Sequence, residues 1–438
     1  MESGLISVDW FSGDSRAYFL THLHSDHTRG LSSSWNRGPL FCTRITAKLF
    51  PIKFPGFDLS LLRILDTSTW HCLSLPSPSS CTGHMLHVMP IDARHCPGSV
   101  MYLFRGEFGR VLCTGDFRWE LTGEDAVEPR EALLRALNGR RVDTVYLDNT
   151  YCHPSHDFPA RLVAAEKVID IILSHPNHDV IIGIDSLGKE DLLVYIAQKL
   201  NVKIWVWPER LQIMHLLGFD DIFTTRTSLT RVRAVPRYSF SADTIDALNS
   251  IHPTIGIMPS GMPWASKPYD KNQKVYDCRP DSSCSSFKRS GNEKASAIKP
   301  EQIDGSVKGA QRKLFSVPYS DHCSFAEIQA LLRLIRPFNM EGIVSSSPCY
   351  VDPSYYSGFC DDKTETGRMN KEQGERNGRP ARAILTKSSF KRSNYSNCYR
   401  RKEGKNNKLG TLGAYMSRLK AVRRFRRGAK IVDTISAS

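Results

Sequence analysis

The chain has 438 residues and a formal net charge of +14 at pH 7, and 40% of its residues are hydrophobic. This length exceeds the usual size of one compact core, so we expect two domains with appendages, and the apolar content excludes a wholly disordered protein. No run of about 18 apolar residues occurs, which argues against a membrane partner. The amino-terminal segment lacks the basic-then-apolar layout of a secretory signal.

Cysteine usage and the location of the charge both indicate an intracellular protein. The 12 cysteines include no C-x-x-C pair, which predicts reduced thiols in the cytosol or nucleus. Residues 361–438 hold 21 Lys and Arg against 7 Asp and Glu, a difference equal to the charge of the whole chain. Their basic clusters, YRRKEGKNNK and AVRRFRRGAK, predict a disordered tail over 351–438 suited to a polyanion or to nuclear import, with a merely solvated tail as the alternative.

The predicted elements change character near residue 158. Before it, short runs rich in Val, Leu, Tyr and Phe predict strands, for example AYFL, SVMYLF, GRVLC and DTVYL. From 158 to 261, helical patterns such as FPARLVAAEKVIDIIL and EDLLVYIAQKL alternate with strand patterns such as DVIIGI, KIWVW and TIGIMP. That alternation is typical of a parallel α/β unit.

The third part of the chain begins with a break in this regularity. Residues 262–313 are polar and rich in Ser and Lys, which predicts a flexible insertion. Regular structure is expected again over 314–350, as a strand in KLFSVPYS and a helix in SFAEIQALLRLIRPF. Ser324 and Glu327 have the spacing of a capping box at the start of that helix.

Candidate metal ligands concentrate in THLHSDHTRG, residues 21–30. Alternate residues of an extended loop point the same way, so we expect His22, His24 and Asp26 to converge, with His27 directed elsewhere, toward a second metal. A polar loop that merely carries histidines is the simpler alternative.

Donors at later strand ends favour the metal. His95 precedes a Pro-Gly turn, Asp116 follows a strand at Gly115, and His322 stands between a strand and a helix. Imidazole and carboxylate donors without a thiolate suit a catalytic zinc that leaves a position open for water. Two metals would activate a water for attack on a carbonyl or a phosphorus. We expect Asp116 to bridge them and Asp9 to orient a ligand histidine.

A second pattern predicts an anion site. Ser186, Gly188 and Lys189 lie between a strand and a helix, where backbone N–H groups and a lysine can hold a terminal phosphate, and Ser320 can add a hydroxyl. A simple strand-to-helix turn is the alternative.

Taken together, the motifs resemble a known family. LTHLHSDHTRGLSSSW, DARHCPGSVMYLF, LCTGDFRW, VYLDNTYC, DSLGKEDLL and VPYSDHCSF are similar to the metallo-β-lactamase fold with a β-CASP domain, and within it to the DNA cross-link repair nucleases. The resemblance covers residues 5 to about 260 and 314 to about 350. It implies an α/β fold in which an αββα sandwich, residues 1–157 and 314–350, carries an inserted β-CASP domain, residues 158–261.

The resemblance also implies an activity and a setting. The expected activity is 5′→3′ exonuclease action on DNA with a 5′-phosphate, in the nucleus. The expected process is interstrand cross-link repair, or telomere end processing, with DNA repair or telomere proteins as partners.

The resemblance assigns roles residue by residue. It implies a first Zn²⁺ held by His22, His24, His95 and Asp116, and a second metal, Zn²⁺, Mg²⁺ or Mn²⁺, held by Asp26, His27, Asp116 and His322. Asp148 matches an acid that hydrogen-bonds the ligand network, and it joins Asp9, Asp26 and Asp116 as the catalytic carboxylates. Arg233 departs from the family, because it stands where a β-CASP histidine is expected.

Three other functions remain open from the sequence. They are an endonuclease of the same fold acting on DNA or RNA, a thioester hydrolase, and a non-catalytic DNA-binding scaffold. The inserted α/β domain and the anion site disfavour the thioesterase, and the complete ligand set disfavours the scaffold.

Overall fold

The structure is a computed structural model, and it describes residues 4–75, 84–154, 156–261 and 313–345 together with the backbone of 425–426 and 429–431. Three main sheets and seven helices are formed by these residues. Among them, no helix has the length and apolar character needed to cross a membrane.

The first sheet has five strands in the order β19-β1-β2-β3-β4. Its strands are β1 (Gly4–Val8), β2 (Ser15–Phe19), β3 (Leu40–Thr43), β4 (Leu62–Leu65) and β19 (Ala429–Ile431). The strands β1 to β4 are parallel, and β19 pairs antiparallel with β1 at one edge.

The second sheet has six strands in the order β16-β9-β8-β7-β6-β5. Its strands are β5 (His71–Leu75), β6 (His84–Asp92), β7 (Val100–Gly106), β8 (Gly109–Cys113), β9 (Thr144–Leu147) and β16 (Asn339–Gly342). The strands β5 to β8 form an antiparallel meander, and β9 and β16 are added in parallel.

The two sheets pack face to face because each buries one set of alternating side chains. Phe19 of the first sheet stacks on Phe41 with ring centroids 4.9 Å apart and meets Phe104 of the second sheet edge-on, also at 4.9 Å. Ala17 and Phe19 point into this shared core, whereas Tyr18 points to the other face. The alternation in SRAYF is therefore the period-two pattern of a strand buried on both sides.

Helices cover the outer faces of both sheets. The helix α1 (Arg44–Lys53) packs Leu49 and Phe50 against the outer face of the first sheet. The helices α2 (Val127–Leu137) and α7 (Phe325–Ile335) cover the second sheet through side chains such as Leu133 and Leu331. The layers run helix, sheet, sheet, helix, which confirms the predicted αββα fold class.

The third sheet is a separate parallel sheet of six strands in the order β12-β11-β13-β10-β14-β15. Its strands are β10 (Asp179–Ile184), β11 (Ile204–Trp205), β12 (Phe223–Thr224), β13 (Val232–Pro236), β14 (Thr254–Pro259) and β15 (Leu314–Val317). Its helices are α3 (Arg161–Leu173), α4 (Glu190–Leu200), α5 (Pro208–Leu216) and α6 (Ala242–Asn249). The carboxyl ends of parallel strands form the crevice in which α/β sheets bind ligands.

Two sequence predictions need correction. The segment 314–350 was expected to return wholly to the sandwich, but β15 pairs in parallel with β14 and so extends the third sheet before α7 reaches the sandwich. The tail 351–438 was expected to be disordered, but β19 pairs with β1, and β18 (Phe425–Arg426) pairs antiparallel with β17 (Val344–Ser345). The predicted flexible insertion, except residue 313, lies outside the described residues.

Candidate metal centre

The candidate ligands come from the ends of four different strands. Residues 21–27 follow β2, His95 follows β6, Asp116 follows β8, and His322 follows β15. A close backbone approach at Gly115 brings two of these segments together. Gly115 has φ of +52°, and a Cβ there would stand 2.8 Å from the Thr21 side chain, so only glycine fits.

Asp116 lies at the centre of the cluster. Its Oδ1 is 3.2 Å from His27 Nε2, and its Oδ2 is 3.5 Å from His95 Nε2 and 3.7 Å from His22 Nε2. His322 Nε2 is 4.0 Å from the same Oδ2. One carboxylate therefore faces two ligand sets, His22 with His27 and His95 with His322, as a bridging carboxylate must.

His24 completes the arrangement on the side away from Asp116. Its Nδ1 is 3.0 Å from His22 Nε2 and 3.1 Å from His95 Nε2. Burial lowers the pKa of His24 to about 4, so its ring is neutral at neutral pH and presents a lone pair.

Each candidate ligand ring has one inner nitrogen, which faces the cluster, and one outer nitrogen, which hydrogen-bonds the surrounding protein. Two of these outer N–H groups donate to backbone carbonyls: His24 to that of Leu187 (2.9 Å) and His95 to that of Asp321 (2.9 Å). The other three donate to side-chain oxygens: His22 to Thr21 Oγ1 (3.0 Å), His27 to Asp9 Oδ2 (2.6 Å) and His322 to Asp148 Oδ2 (2.7 Å). Since each outer nitrogen carries the proton, the inner nitrogens are acceptors. Five imidazole lone pairs and the Asp116 carboxylate then face one shared space, an arrangement that fits divalent metal ions.

Two carboxylates, Asp9 and Asp148, each hydrogen-bond one of the candidate ligand rings. Asp9 accepts from the Thr21 N–H at 2.8 Å and the Thr21 hydroxyl at 2.6 Å while it holds His27. Burial alone would raise the pKa of Asp148, but the His322 ring and the hydrogen bonds from Thr150 outweigh it and lower that pKa. Asp148 therefore stays ionised behind His322.

The loop bends earlier than the sequence suggested. Residues 25–27 form a turn in which the His27 N–H donates to the His24 carbonyl, so His27 swings back beside His22, with ring centroids 4.1 Å apart. Asp26 is outside the described ligand groups, although its charge raises the pKa of His24. Its role as a ligand stays a prediction.

Lys53 at the end of α1 holds the same loop and was missed in the sequence. Its Nζ donates to the Leu23 carbonyl and to Ser25 Oγ. Burial lowers the pKa of Lys53 to about 8, against the opposing charge of Asp26. An ammonium group thus fastens the two residues between the ligands of the H-x-H-x-D-H segment.

The lysine of the predicted anion site already contacts two carboxylates of the protein. Lys189 Nζ lies 2.7 Å from Asp321 Oδ2 and 3.7 Å from Asp185 Oδ2. Burial would lower the pKa of Lys189, but these two carboxylates outweigh it and raise that pKa. The lysine stays protonated, and Asp321, which sequence reasoning missed, balances its charge.

The other residues of the predicted anion site, Ser186, Gly188 and Ser320, form hydrogen bonds that fix the conformation of their loops. Ser320 Oγ accepts from the His322 N–H at 3.0 Å and donates to the His322 carbonyl at 2.9 Å. Arg210 binds the carbonyls of Ser186 and Gly188 from inside the fold, and Gly188 N–H donates to Glu190 at 2.9 Å. The turn 185–189 is therefore held rigidly beside the metal ligands.

Arg233 is not part of the ligand cluster in the described contacts. It lies on β13 opposite Ile181 and forms an ion pair with Asp179, the first residue of β10, at 3.2 Å. That pair is at the amino end of the third sheet, whereas Leu187 beyond the carboxyl end of β10 contacts His24. The departure at Arg233 leaves the ligand set intact.

Cys96 is an unexpected neighbour of the cluster. Its Sγ groups with the ligand atoms of His22, His24 and His95, whereas the sequence had indicated no sulfur donor. Burial raises the pKa of this thiol well above its ordinary value, which favours the protonated form.

Arg118, two residues after Asp116, was also missed. Its side chain is fully buried, and its guanidinium donates to the Ser320 carbonyl at 2.8 Å and the Pro159 carbonyl at 3.2 Å. Its Nε lies 3.0 Å from Glu327. Arg118 therefore connects the strand end that carries Asp116 with the loop that carries His322.

Comparisons with known proteins agree with this fold class. A family model described as DNA repair metallo-beta-lactamase matches residues 219–348, which include His322. Residues 219–348 of the chain are therefore similar to the DNA repair metallo-beta-lactamase family. The family resemblance of the motifs is thereby confirmed, and this match together with the His and Asp clusters of the structure indicates divalent metal binding.

Relatives of this chain are named as exonucleases or as DNA cross-link repair proteins. The 5′ exonuclease Apollo of Gallus gallus is 36% identical over 357 residues, which are 80% of this chain and 64% of that protein. Apollo of Rattus norvegicus is 34% identical over 348 residues, 78% of this chain and 54% of that protein. The DNA cross-link repair protein SNM1 of Arabidopsis thaliana is 29% identical over 334 residues, 73% of this chain and 59% of that protein. The chain spans less than two thirds of each.

Proposed function

We propose that the protein is a metal-dependent phosphodiester hydrolase that removes nucleotides from the 5′ ends of DNA during DNA repair. The observation that carries the proposal is the convergence of four imidazole nitrogens on Asp116, with His24 beside two of them and each ring fixed by its outer nitrogen. The name of the Apollo relatives, 5′ exonuclease, supports cleavage from the 5′ end, and the DNA repair family match supports DNA as the substrate.

The donor set favours Zn²⁺ in at least the first site, formed by His22, His24, His95 and Asp116. Imidazole with carboxylate suits zinc better than magnesium, which prefers oxygen donors, so Mg²⁺ or Mn²⁺ is proposed only for the second site beside His322. When bound, such metals lower the pKa of a water and polarise the phosphoryl oxygen.

The protein's own residues position this chemistry. Asp116 faces both ligand sets, so it fixes their separation. Asp9 and Asp148 keep the rings of His27 and His322 in one tautomer, with the lone pair facing inward. Arg118 holds the His322 loop in place from behind.

A terminal 5′-phosphate is proposed to bind at the carboxyl end of the third sheet, near Ser186, Gly188, Lys189 and Ser320. Lys189 supplies the positive charge. Because its ammonium group contacts Asp321, Lys189 must release this carboxylate in order to bind the phosphate. The nucleus is the proposed location, with DNA repair or telomere proteins as proposed partners.

The test uses two single-stranded oligonucleotides that differ only in a 5′-phosphate or a 5′-hydroxyl. We expect stepwise products from the 5′ end, formed mainly with the phosphate and lost with chelator or in Asp116→Asn. Bound zinc measured by mass spectrometry should fall in the same variant. Asp179→Asn, at the far end of the third sheet, is the matched control and should cleave normally.

Other outcomes would identify the alternatives. Internal cuts would indicate an Artemis-like or RNA-processing endonuclease, and cleavage of a thioester but not of DNA would indicate a thioesterase. Tight DNA binding without cleavage by the metal-loaded protein would indicate a scaffold. Each of these results would overturn the exonuclease proposal.

A further inference from the structure

An exposed aromatic side chain stands at the carboxyl end of the third sheet. A short 3₁₀ turn, Arg237–Ser239, follows β13 directly, and Tyr238 in this turn is 90% exposed. The ring therefore has almost no packing role in the folded chain.

The turn is adjacent to the segment that supports the metal ligands. β13 pairs in parallel with β10, and Pro236 lies opposite Ile184. The next residues of the two strands are therefore Arg237 on one side and Asp185 on the other. From Asp185 the chain reaches Leu187, which contacts His24, and Lys189, which contacts Asp321.

Arg237 adds a positive charge at the same place. It is exposed, and its charge lowers the pKa of Lys189, against the larger opposing effects of Asp321 and Asp185. A basic and an aromatic residue are thus consecutive and exposed at the carboxyl end of the third sheet, next to the segment that contacts His24 and Asp321.

Exposure alone does not identify a site, because single exposed apolar side chains are common on protein surfaces. Ile251 is 85% exposed and precedes β14, at the amino ends of the strands. Tyr238 differs from it in two respects: it lies at the carboxyl ends, near the ligands, and its neighbour is basic. Single-stranded nucleic acid is bound by this combination, with bases stacked on aromatic rings and phosphates held by basic groups.

We propose that Tyr238 is a nucleobase-stacking platform for a single-stranded DNA end, with Arg237 holding the adjoining phosphate. The inference rests on the proposed nuclease function and names a binding position for its substrate. It predicts that one nucleotide near the cleaved bond is recognised by its flat face rather than by its sequence.

The test compares Tyr238→Ala, Tyr238→Phe and the control Ile251→Ala in the full chain. Steady-state cleavage and fluorescence anisotropy are measured on 5′-phosphorylated oligonucleotides, either intact or with one abasic site moved stepwise from the 5′ end. Loss of one stacked base costs roughly a five- to hundredfold factor in binding. We expect that loss, in KM and Kd, for Tyr238→Ala, and little change for Tyr238→Phe or Ile251→Ala.

The abasic series supplies the specific signature. One abasic position should weaken binding to the wild type by the same factor, and Tyr238→Ala should show no further loss there. Arg237→Gln should weaken binding to all sequences and reduce its salt dependence. Unchanged affinity of Tyr238→Ala, or equal losses for the Phe and Ala variants, would overturn the proposal.

The two proposals fail in different ways. Normal cleavage with no effect of Tyr238→Ala removes the stacking site and leaves the nuclease. Ring-dependent DNA binding without any cleavage removes the nuclease and leaves the stacking site. A wild-type chain that neither binds nor cleaves DNA removes both.

Discussion

At the scale of single residues, the carboxylates behind the ligand rings decide which nitrogen faces the metal. Asp9 lies 18 positions before His27, the histidine whose ring it holds, and Asp148 lies 174 positions before His322. Both contacts are buried or nearly so, and each fixes a tautomer that a loose imidazole would adopt only part of the time.

Removing the carboxylate of Asp148 should weaken metal binding without unfolding the protein. We expect Asp148→Ala to reduce metal affinity roughly 10- to 100-fold, the usual effect of deleting such a partner. Competition titration against a chelating dye measures it. Asp179→Ala, which removes a carboxylate paired only at the amino end of the third sheet, should leave affinity unchanged. Equal affinities in both variants would contradict the role given to Asp148.

The sequence was informative about these residues wherever a local pattern was sufficient. The clustering of His22, His24, His95, Asp116 and His322 could be predicted because each follows a strand in a recognisable motif, and their role as metal ligands stays a prediction. The resemblance also placed His27 beside Asp116, but the spacing of the residues did not predict the tight turn that brings His27 next to His22, since it was read as an extended loop. Asp321 was missed because its partner, Lys189, is 132 positions away.

At the scale of elements, α7 is tied to the metal centre by a shared acid. Glu327 accepts from the Ser324 N–H at 2.7 Å as part of the capping box, and it also pairs with Arg118. Arg118 in turn binds the carbonyls of the loop before α7. The start of the helix and the position of His322 are therefore set by one buried charge pair.

A double-mutant cycle should reveal this coupling. Removing one member of a buried pair leaves a buried charge, so Arg118→Met alone should lower the free energy of unfolding by about 3–5 kcal/mol. Arg118→Met with Glu327→Met should be less destabilised than the sum of the single variants. Urea denaturation measures each value. Additive losses would mean that the two side chains do not act as a pair.

At the scale of the whole molecule, the sandwich is completed by residues from opposite ends of the sequence. β19 covers the edge of β1, with Ile6 opposite Ile431 and Val8 opposite Ala429. An uncovered β1 would present a row of backbone donors and acceptors to other chains. Composition did not predict this pairing, because the basic residues around 421–430 resemble those of an unfolded tail.

Shortening the chain tests the contribution of this strand. A chain ending at residue 424 lacks β18 and β19, and we expect it to lose on the order of 1–3 kcal/mol, about 1 kcal/mol for each ladder hydrogen bond. It should also aggregate more readily. A chain ending at residue 433 retains both strands and is the control. Thermal melting and light scattering distinguish the two, and identical behaviour would argue against a stabilising role for β19.

The pairing of β1 with β19 also sets an order of events during synthesis. The two strands are separated by about 425 positions, and a ribosome adds roughly 5–20 residues per second. The edge of β1 therefore stays unpaired for about 20 to 90 seconds after β1 is synthesised. During that interval the backbone donors and acceptors along β1 are open to pairing with other chains, so the risk of misassembly is highest before the last residues are made.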